Sequence, residues 1–226
     1  MKTNFFENNK KYEAIKWQHY LEIYTEIWER FVEPPRVCEI GVWQGGSLKL
    51  WSDCSDFVLG VDIGEQPCEF PDNVLFKKVS QVGTAKYLED ENLGRSSKLK
   101  EVVGEHAPYD IIIDDASHNI NLTEGTFFSL FDLVKPNGIY IIEDWASYTQ
   151  LPSIWDFEFP NTDESIKEAG PPLPMGSFHK GAIYPLAKNL IRELGIWKDT
   201  HGRNFGASRF KKIEYYPNLL VITKSP

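Results

Sequence analysis

The sequence predicts an α/β fold in which helices flank a mostly parallel sheet. Short apolar runs rich in isoleucine and valine recur along the chain, and helical patterns lie between them. Runs of this length are typical of strands that are buried on both faces. Two of them, Ile111–Ile113 and Ile139–Ile142, end directly in acidic residues. These acids would lie at the carboxyl edge of the sheet, where open α/β folds bind their ligands.

The chain is expected to open with an amphipathic helix. Apolar side chains recur at spacings of three and four from Trp17 to Phe31, which is the pattern of one helix face. Pro34 and Pro35 then end the helix and begin an extended segment. Residues 1–34 are therefore predicted to be a helical extension of one domain that covers residues 1–226.

Regularly spaced strand patterns follow this extension. The predicted strands are Val37–Gly41, Phe57–Ile63, Val74–Val79, Asp110–Asp115 and Ile139–Asp144. Helical stretches between them include Ser47–Trp51 and Leu122–Val134, and Lys135–Gly138 is predicted to be a turn before the fifth strand. Such alternation predicts right-handed βαβ crossovers and hence a parallel sheet.

The pattern changes towards the C-terminus. A helix is predicted over Ile183–Leu194, and the strands Phe210–Tyr216 and Leu219–Lys224 are predicted to form an antiparallel hairpin through Pro217-Asn218. Residues 148–176 combine prolines with acidic residues. An irregular segment of this length is usually a functional lid or is disordered.

Composition limits the partners of the chain. Its 226 residues carry 24 Lys and Arg against 33 Asp and Glu, a formal charge of −9. This balance argues against nucleic acid or an anionic membrane as the main partner. An odd count of three cysteines without metal-ligand spacing favours reduced intracellular thiols. Without a signal-peptide pattern or a long apolar window, a soluble cytoplasmic protein is expected, and a homo-oligomer stays open.

A glycine-rich turn follows the first predicted strand, in the order Glu39-Ile40-Gly41-Val42-Trp43-Gln44-Gly45-Gly46-Ser47. Gly41 permits a tight turn, and Gly45 or Gly46 lets the backbone approach a ligand. Ser47 is a candidate N-cap of the next helix. The alternative is a structural turn without a ligand.

The end of the second strand supplies a matching acid. Asp62 could accept hydrogen bonds from both hydroxyls of an adenosine ribose. Trp43 occupies the second glycine position of the dinucleotide fingerprint, so a nucleoside without a pyrophosphate is favoured.

The two acidic signatures, Asp114-Asp115-Ala116-Ser117-His118 and Glu143-Asp144-Trp145, predict a cation site. Oxygen ligands from Asp115, Glu143 and Asp144 would suit a hard divalent cation. His118 would stand beside that cation as a candidate base. The alternative is that the aspartates cap the next helix and that His118 is an ordinary first-turn residue.

Together these segments resemble the metal-dependent sugar O-methyltransferases of natural-product pathways. This group includes macrolide-sugar and rhamnosyl O-methyltransferases and the cephalosporin-hydroxylase-like family. The resemblance covers about residues 36–224 and includes the Lys-Pro-Asn-Gly turn and the Tyr-Tyr-Pro-Asn hairpin. It implies a Rossmann-like class I methyltransferase fold, with five parallel strands and a C-terminal antiparallel hairpin.

The resemblance also implies cofactors and roles. S-adenosylmethionine (SAM) would be bound by Glu39, Gly41, Gly45, Ser47, Asp62, Gln81 and Asp115. Mg²⁺, or Mn²⁺ in its place, would be bound by Asp115, Glu143 and Asp144, with His118 as the base. One departure is Val79-Ser80-Gln81, because relatives often carry Gly-Asp-Gln there and only Gln81 matches.

The expected reaction is methyl transfer from SAM to a sugar hydroxyl of a glycoside or glycan, with a vicinal diol chelated by the metal. A catechol-type O-methyltransferase would use the same chelation on a phenolic diol. A non-catalytic SAM- or nucleoside-binding protein is a further alternative. An oxidoreductase is disfavoured because the dinucleotide fingerprint is missing.

Overall fold

A computed structural model describes residues 5–81, 97–118, 120–145, 184–194 and 207–226 of the chain. The helices in these ranges are α1 (Phe5–Tyr12), α2 (Gln18–Trp28), α3 (Gly46–Ser52), α4 (Ser97–Gly104), α5 (Ile120–Leu130) and α6 (Tyr184–Leu194), and a 3₁₀ turn spans Phe131–Leu133. The strands are β1 (Arg36–Ile40), β2 (Phe57–Asp62), β3 (Val74–Lys78), β4 (Tyr109–Asp114), β5 (Val134–Glu143), β6 (Phe210–Tyr216) and β7 (Leu219–Lys224). The predicted lid at 148–176 lies outside the described residues.

One seven-stranded sheet has the order β3-β2-β1-β4-β5-β7-β6. The first five strands in this order are parallel, whereas β7 runs antiparallel to β5 and pairs with β6 as a hairpin. This confirms the predicted fold, including both strands of the hairpin at their predicted bounds. Because β1, β4 and β5 are parallel and adjacent in the sheet, their carboxyl ends form one edge.

Helices cover the sheet on both faces, so the central strands are buried on each side. One face packs against aromatic side chains of the N-terminal region and α3, including Tyr24 and Trp51. The other face packs against Phe127 and Phe131, and Tyr140 of β5 joins this second cluster. Complete burial of apolar side chains of this size contributes about 1.5–3 kcal/mol each, which explains why continuous apolar runs form these strands.

The N-terminal region differs from the predicted single helix. Helix α2 is confined to Gln18–Trp28, and a second helix, α1, precedes it. Trp17 is the residue before α2 and is 54% exposed, so it does not belong to the buried face. The periodicity extended the helix too far at both ends, since apolar residues in the flanking loops continued the spacing.

The predicted turn at Lys135–Gly138 lies inside β5 rather than before it. Val134 pairs with Tyr109, but the next pair joins Ile139 to Ile111, so the extra residues form an irregularity in the strand. Asn137 adopts a left-handed backbone with φ of +61° at this point. The predicted turn before the fifth strand is therefore wrong, because its four residues belong to β5.

None of the three cysteines, all of which are described, forms a disulfide: Cys38 and Cys54 are buried, and Cys68 is partly buried. None of the helices in the described ranges is both long and apolar enough to cross a bilayer.

Candidate active site at the carboxyl edge of the sheet

The glycine-rich turn after β1 lies directly against the first acidic signature. Gly41 has a left-handed backbone with φ of +93°, and its N–H donates to the Val61 carbonyl over 2.8 Å. A Cβ atom at Gly41 would lie 2.2 Å from the Asp115 carbonyl oxygen. Asp115 in turn donates its N–H to the Ile40 carbonyl over 2.8 Å. Only glycine permits this approach, which places the turn and Asp115 side by side.

The start of α3 corrects one prediction. Gly45, with φ of +83°, is the residue that precedes the helix, and Gly46 is its first residue. Ser47 is therefore a buried residue of the first turn and not the N-cap. Its hydroxyl lies against Glu39, where its hydrogen bond lowers the Glu39 pKa and so opposes the effect of burial.

Asp62, at the end of β2, stabilises the glycine-rich turn. Its Oδ2 accepts the N–H groups of Val42 at 2.7 Å and Trp43 at 3.3 Å, and its Oδ1 accepts that of Gly64 at 2.8 Å. The acid thus lies where the resemblance requires it, beside the turn at the same sheet edge. Its contact with a ribose stays a prediction.

Gln81 is buried and connects the segment after β3 to the end of β4. Its Nε2 donates to Asp114 Oδ1 over 2.9 Å, and its Oε1 accepts the hydroxyl of Ser117 at 2.8 Å. Burial raises the pKa of Asp114 to about 8, against opposing hydrogen bonds from Ala116 and Gln81. The adenine contact predicted for Gln81 stays a prediction.

The acids at the carboxyl ends of β1, β4 and β5 form two overlapping groups that share Asp115. The first group joins Asp115 to the buried Glu39 and Glu143, and the second joins it to His118 and Asp144, which are partly exposed. Within each group, one potential ligand atom per residue lies within 4.8 Å of the others. The predicted metal ligands Asp115, Glu143 and Asp144 are therefore distributed over both groups.

A lysine from the N-terminal region lies in the first group. Lys16 Nζ donates to Asp115 Oδ2 over 2.5 Å and to the two oxygens of Glu143 over 2.8 and 2.9 Å. Glu39 Oε1 lies 3.4 Å from the same nitrogen. Burial lowers the Lys16 pKa, but the three carboxylates outweigh this effect and raise it well above its ordinary value.

The buried acids have elevated pKa values. Burial raises the pKa of Glu143 to about 8, reinforced by the Asp115 charge and opposed by Lys16. Burial also raises the pKa of Glu39 to about 7, although the positive charge of Lys16 acts to lower it. Buried charges are costly unless they are paired, and one ammonium cannot pair with three carboxylates, which is why the pKa values of Glu39 and Glu143 stay raised.

Helix α2 presents two tyrosine hydroxyls, one turn apart, to the consecutive acids after β5. Tyr20 donates to Asp144 Oδ1 over 2.9 Å, and Tyr24 donates to Glu143 Oε1. Residues four apart lie on the same helix face, so one helix can hold both carboxylates. The sequence predicted that the two tyrosines lie on the apolar face of the helix, but it did not predict that their hydroxyls bind carboxylates.

Asp144 directs its second oxygen towards His118. The distance from His118 Nε2 to Asp144 Oδ2 is 3.8 Å, and the side chains are 15% and 20% exposed. Both residues have left-handed backbones, with φ of +51° for His118 and +54° for Asp144. Such conformations are uncommon outside glycine and cluster at functional sites.

Sequence reasoning missed several residues of this site. Tyr20 and Tyr24 were assigned only to an apolar face. Lys16 carries no sequence signal, because Asp115 and Glu143 follow it by 99 and 127 residues. His19 of α2 belongs to no sequence motif, and its ring contacts the Pro217 carbonyl at 2.7 Å.

Characterised proteins that are similar to this chain are O-methyltransferases, as the resemblance of the motifs implies. No protein-family model matches the chain. Demethylmacrocin O-methyltransferase of Streptomyces fradiae is 30% identical over 162 residues, which are 65% of this chain and 38% of that protein. A tetracenomycin rhamnosyl 3'-O-methyltransferase of Streptomyces olivaceus is 32% identical over 143 residues, 58% of this chain and 34% of that protein. The chain is similar in sequence to several sugar O-methyltransferases, at about 30% identity.

Comparison with solved structures shows that the chain has the class I methyltransferase fold. One is the mycinamicin methyltransferase MycE in complex with Mg and S-adenosylhomocysteine (SAH), with a TM-score of 0.69 and 23% identity. The alignment covers 100% of this chain and 55% of the MycE chain. A Staphylococcus aureus protein assigned as a caffeoyl-CoA O-methyltransferase has a TM-score of 0.53 and 16% identity, covering 98% of this chain and 90% of its own. The chain spans only about a third of the length of its curated relatives.

Proposed function

We propose that the chain transfers the methyl group of SAM to a hydroxyl group of a sugar, in a glycoside natural product or a glycan, with Mg²⁺ as a cofactor. One observation carries this proposal: Asp115, His118 and Asp144 meet at adjoining strand ends, directly beside the Gly41 turn. Methyl transfer to a hydroxyl needs a cofactor turn, a cation site and a base within a few ångströms of each other.

The carboxyl edge of the sheet fits SAM. The residues that would hold it are Glu39, Gly41, Gly45, Ser47, Asp62, Gln81 and Asp115. The two left-handed glycines allow the tight turn after β1, and Asp62 lies beside this turn with carboxylate oxygens suited to a ribose diol. The SAH found in the similarly folded MycE supports this assignment. When bound, SAM supplies the methyl group on a sulfonium leaving group.

The acids fit a divalent cation. Asp115, Glu143 and Asp144 would hold Mg²⁺, with Mn²⁺ as an alternative, because hard cations prefer carboxylate oxygens. These three acids outnumber the single ammonium of Lys16, so Lys16 cannot neutralise all of them. When bound, Mg²⁺ supplies Lewis acidity, which lowers the pKa of a coordinated hydroxyl.

The side chains of the second group provide the base. We assign His118 to accept the proton of the acceptor hydroxyl, which makes the sugar oxygen a nucleophile. Asp144 Oδ2, 3.8 Å from His118 Nε2, would stabilise the positive charge that the imidazole gains. Two vicinal hydroxyls fit this arrangement best, because one can face His118 while its neighbour helps to fix the ring. The remaining contribution of the chain is the alignment of the oxygen with the methyl group.

Binding experiments test the proposal directly. SAH should raise the melting temperature of the protein by mass action, and NADH should not. Asp62→Asn should weaken SAH binding, whereas Asp72→Asn, at an exposed turn position, serves as the matched control. Methyl transfer from SAM to a rhamnoside should stop in EDTA and return with Mg²⁺ or Mn²⁺. Stabilisation by NADH alone would contradict the methyltransferase assignment, and full activity in EDTA would contradict the metal.

A catechol-type acceptor is the second candidate. The observation that favours it is the similar fold of the Staphylococcus aureus protein assigned as a caffeoyl-CoA O-methyltransferase, with a TM-score of 0.53. A panel that contains a rhamnoside and a catechol separates the two proposals. We expect transfer to the rhamnoside, and transfer to the catechol alone would favour the alternative.

A further inference from the structure

Lys16 places a positive charge inside the acidic group that is proposed to bind a metal. Its ammonium contacts Asp115 Oδ2 at 2.5 Å and Glu143 Oε1 at 2.8 Å, and both residues are assigned above as metal ligands. The Lys16 side chain is only 4% exposed. The lysine therefore occupies the carboxylate oxygens that a divalent cation would use.

The backbone around Lys16 is a short non-helical linker between α1 and α2, residues 13–17. Its neighbours Ile15 and Trp17 are 78% and 54% exposed, so Lys16 is directed inward between two side chains in solvent. Ala14 of the same linker lies against the glycine-rich turn, since a Cβ at Gly46 would lie 2.8 Å from Ala14 Cα. The linker thus contacts the cofactor turn and the acidic group together.

We propose that Lys16 and the divalent cation compete for Asp115 and Glu143, so that metal binding displaces Lys16 from the site. The inference rests on the metal site proposed above. A Mg²⁺ ion bound at about 2.0–2.1 Å from those oxygens would overlap the ammonium or lie against a second positive charge. Charges of equal sign a few ångströms apart repel strongly in a buried site, so the two cations exclude each other.

The competition gives Lys16 a role in each state. Without the metal, the ammonium neutralises part of the buried carboxylate charge, which otherwise destabilises the fold. With the metal, the lysine leaves and the linker moves away from the acids. Lys16 therefore determines the metal affinity and couples the N-terminal linker to occupation of the site.

The first test compares Mg²⁺ affinity in wild type and Lys16→Met by calorimetry. Methionine preserves the length and apolar stem of the side chain but removes the charge. We expect Lys16→Met to bind Mg²⁺ at least about tenfold more tightly, because the competing cation is gone. Lys11→Met is the matched control: Lys11 lies in α1, pairs with Asp53 at 3.3 Å and is 60% exposed, so its loss changes net charge equally but should leave the affinity unchanged.

The second test measures displacement without any activity assay. Acetylation of Lys16 by acetic anhydride, quantified by mass spectrometry, should be slow without metal and should increase several-fold at saturating Mg²⁺. Lys11 should react equally in both conditions. If Lys16→Met does not fold without metal, the neutral Lys16→Gln variant and the Mg²⁺-induced rise in melting temperature replace calorimetry, and the rise should exceed that of wild type.

The outcomes separate this inference from the proposed function. Equal or weaker Mg²⁺ binding by Lys16→Met and Lys16→Gln would overturn the competition, and so would unchanged labelling of Lys16 in protein that binds Mg²⁺. If wild type and both variants bind no Mg²⁺ although they bind SAH, the metal site itself fails together with the inference.

Discussion

Asn218 donates from Nδ2 to Asp144 Oδ1 over 2.5 Å, which joins the turn between β6 and β7 to the end of β5. The Tyr20 hydroxyl of α2 lies 2.9 Å from the same oxygen and 2.5 Å from the Asn218 carbonyl, so its single proton is shared between these two acceptors. Residues from near both ends of the chain therefore fix one carboxylate, whose other oxygen faces His118. Partners of this kind, which orient ligands without contacting the metal, commonly contribute 10- to 100-fold to metal affinity.

We predict that Tyr20→Phe and Asn218→Gly each weaken Mg²⁺ binding by about tenfold, measured by calorimetry. Each variant removes one donor to Asp144 Oδ1, so the carboxylate can rotate away from its orientation. Glycine is chosen at position 218 because Asn218 has φ of +58°, which glycine adopts without strain.

The matched control is Tyr12→Phe, which removes a hydroxyl bonded to Asp53 on the surface and should leave the metal affinity unchanged. SAH affinity should stay at the wild-type value in all three variants. A parallel loss of SAH and Mg²⁺ binding would indicate general destabilisation and contradict a specific role in orienting Asp144.

We predict that His118→Ala retains SAH and Mg²⁺ binding but lowers turnover by about 10²- to 10⁴-fold, the usual contribution of a general base. The loss should become smaller at high pH, where the acceptor hydroxyl ionises without the base. Calorimetry and a methyl-transfer assay over a range of pH measure the two effects.

His118→Asn controls for the backbone, because asparagine tolerates the left-handed conformation of His118 better than alanine. Both variants should lose the same activity. Loss of Mg²⁺ binding would instead make His118 a ligand, as its grouping with Asp115 and Asp144 also permits, and turnover near wild type would remove it from the mechanism.

We predict that Gly41→Ala destabilises the fold by at least about 2 kcal/mol and abolishes SAH binding. A Cβ at this position would lie 2.2 Å from the Asp115 carbonyl oxygen, and its φ of +93° disfavours any side chain. Gly104→Ala is the control, because no atom lies within 4 Å of its added Cβ. Chemical denaturation measures both; a Gly41→Ala protein with wild-type stability and SAH affinity would show that the turn is not constrained.

The strands could be predicted because their burial shows in local composition: β4 and β5 contain continuous apolar runs, and Asp114-Asp115 and Glu143 follow these runs directly. The edge on which these acids meet followed from parallel pairing. The contacts of Lys16 could not be predicted, because its partners Asp115 and Glu143 are distant in sequence and a single lysine has no periodicity. The left-handed backbones of His118 and Asp144 were equally hidden, since packing and not residue type imposes them.

The last prediction concerns the pH dependence of the metal-free protein. Burial raises the pKa of Asp114 from 3.8 to about 8, and its Oδ2 has no hydrogen bond among the described residues. Between these values the folded state holds a proton that the unfolded chain has lost. The free energy of unfolding should therefore decrease as pH rises from about 4 to about 8. The raised pKa values of Glu39 and Glu143 act in the same direction.

Asp114→Asn should reduce this pH dependence, because its uncharged amide replaces the protonated acid and still accepts from Gln81. At pH 8 we expect the free energy of unfolding of the variant to exceed that of wild type by at least about 1 kcal/mol, since one pKa unit corresponds to about 1.4 kcal/mol. Near pH 4 the two proteins should converge. Urea denaturation in EDTA at several pH values measures the difference, with Asp72→Asn as the exposed control. If the unfolding free energy of the variant changes with pH as that of wild type does, ionisation of Asp114 does not destabilise the folded protein.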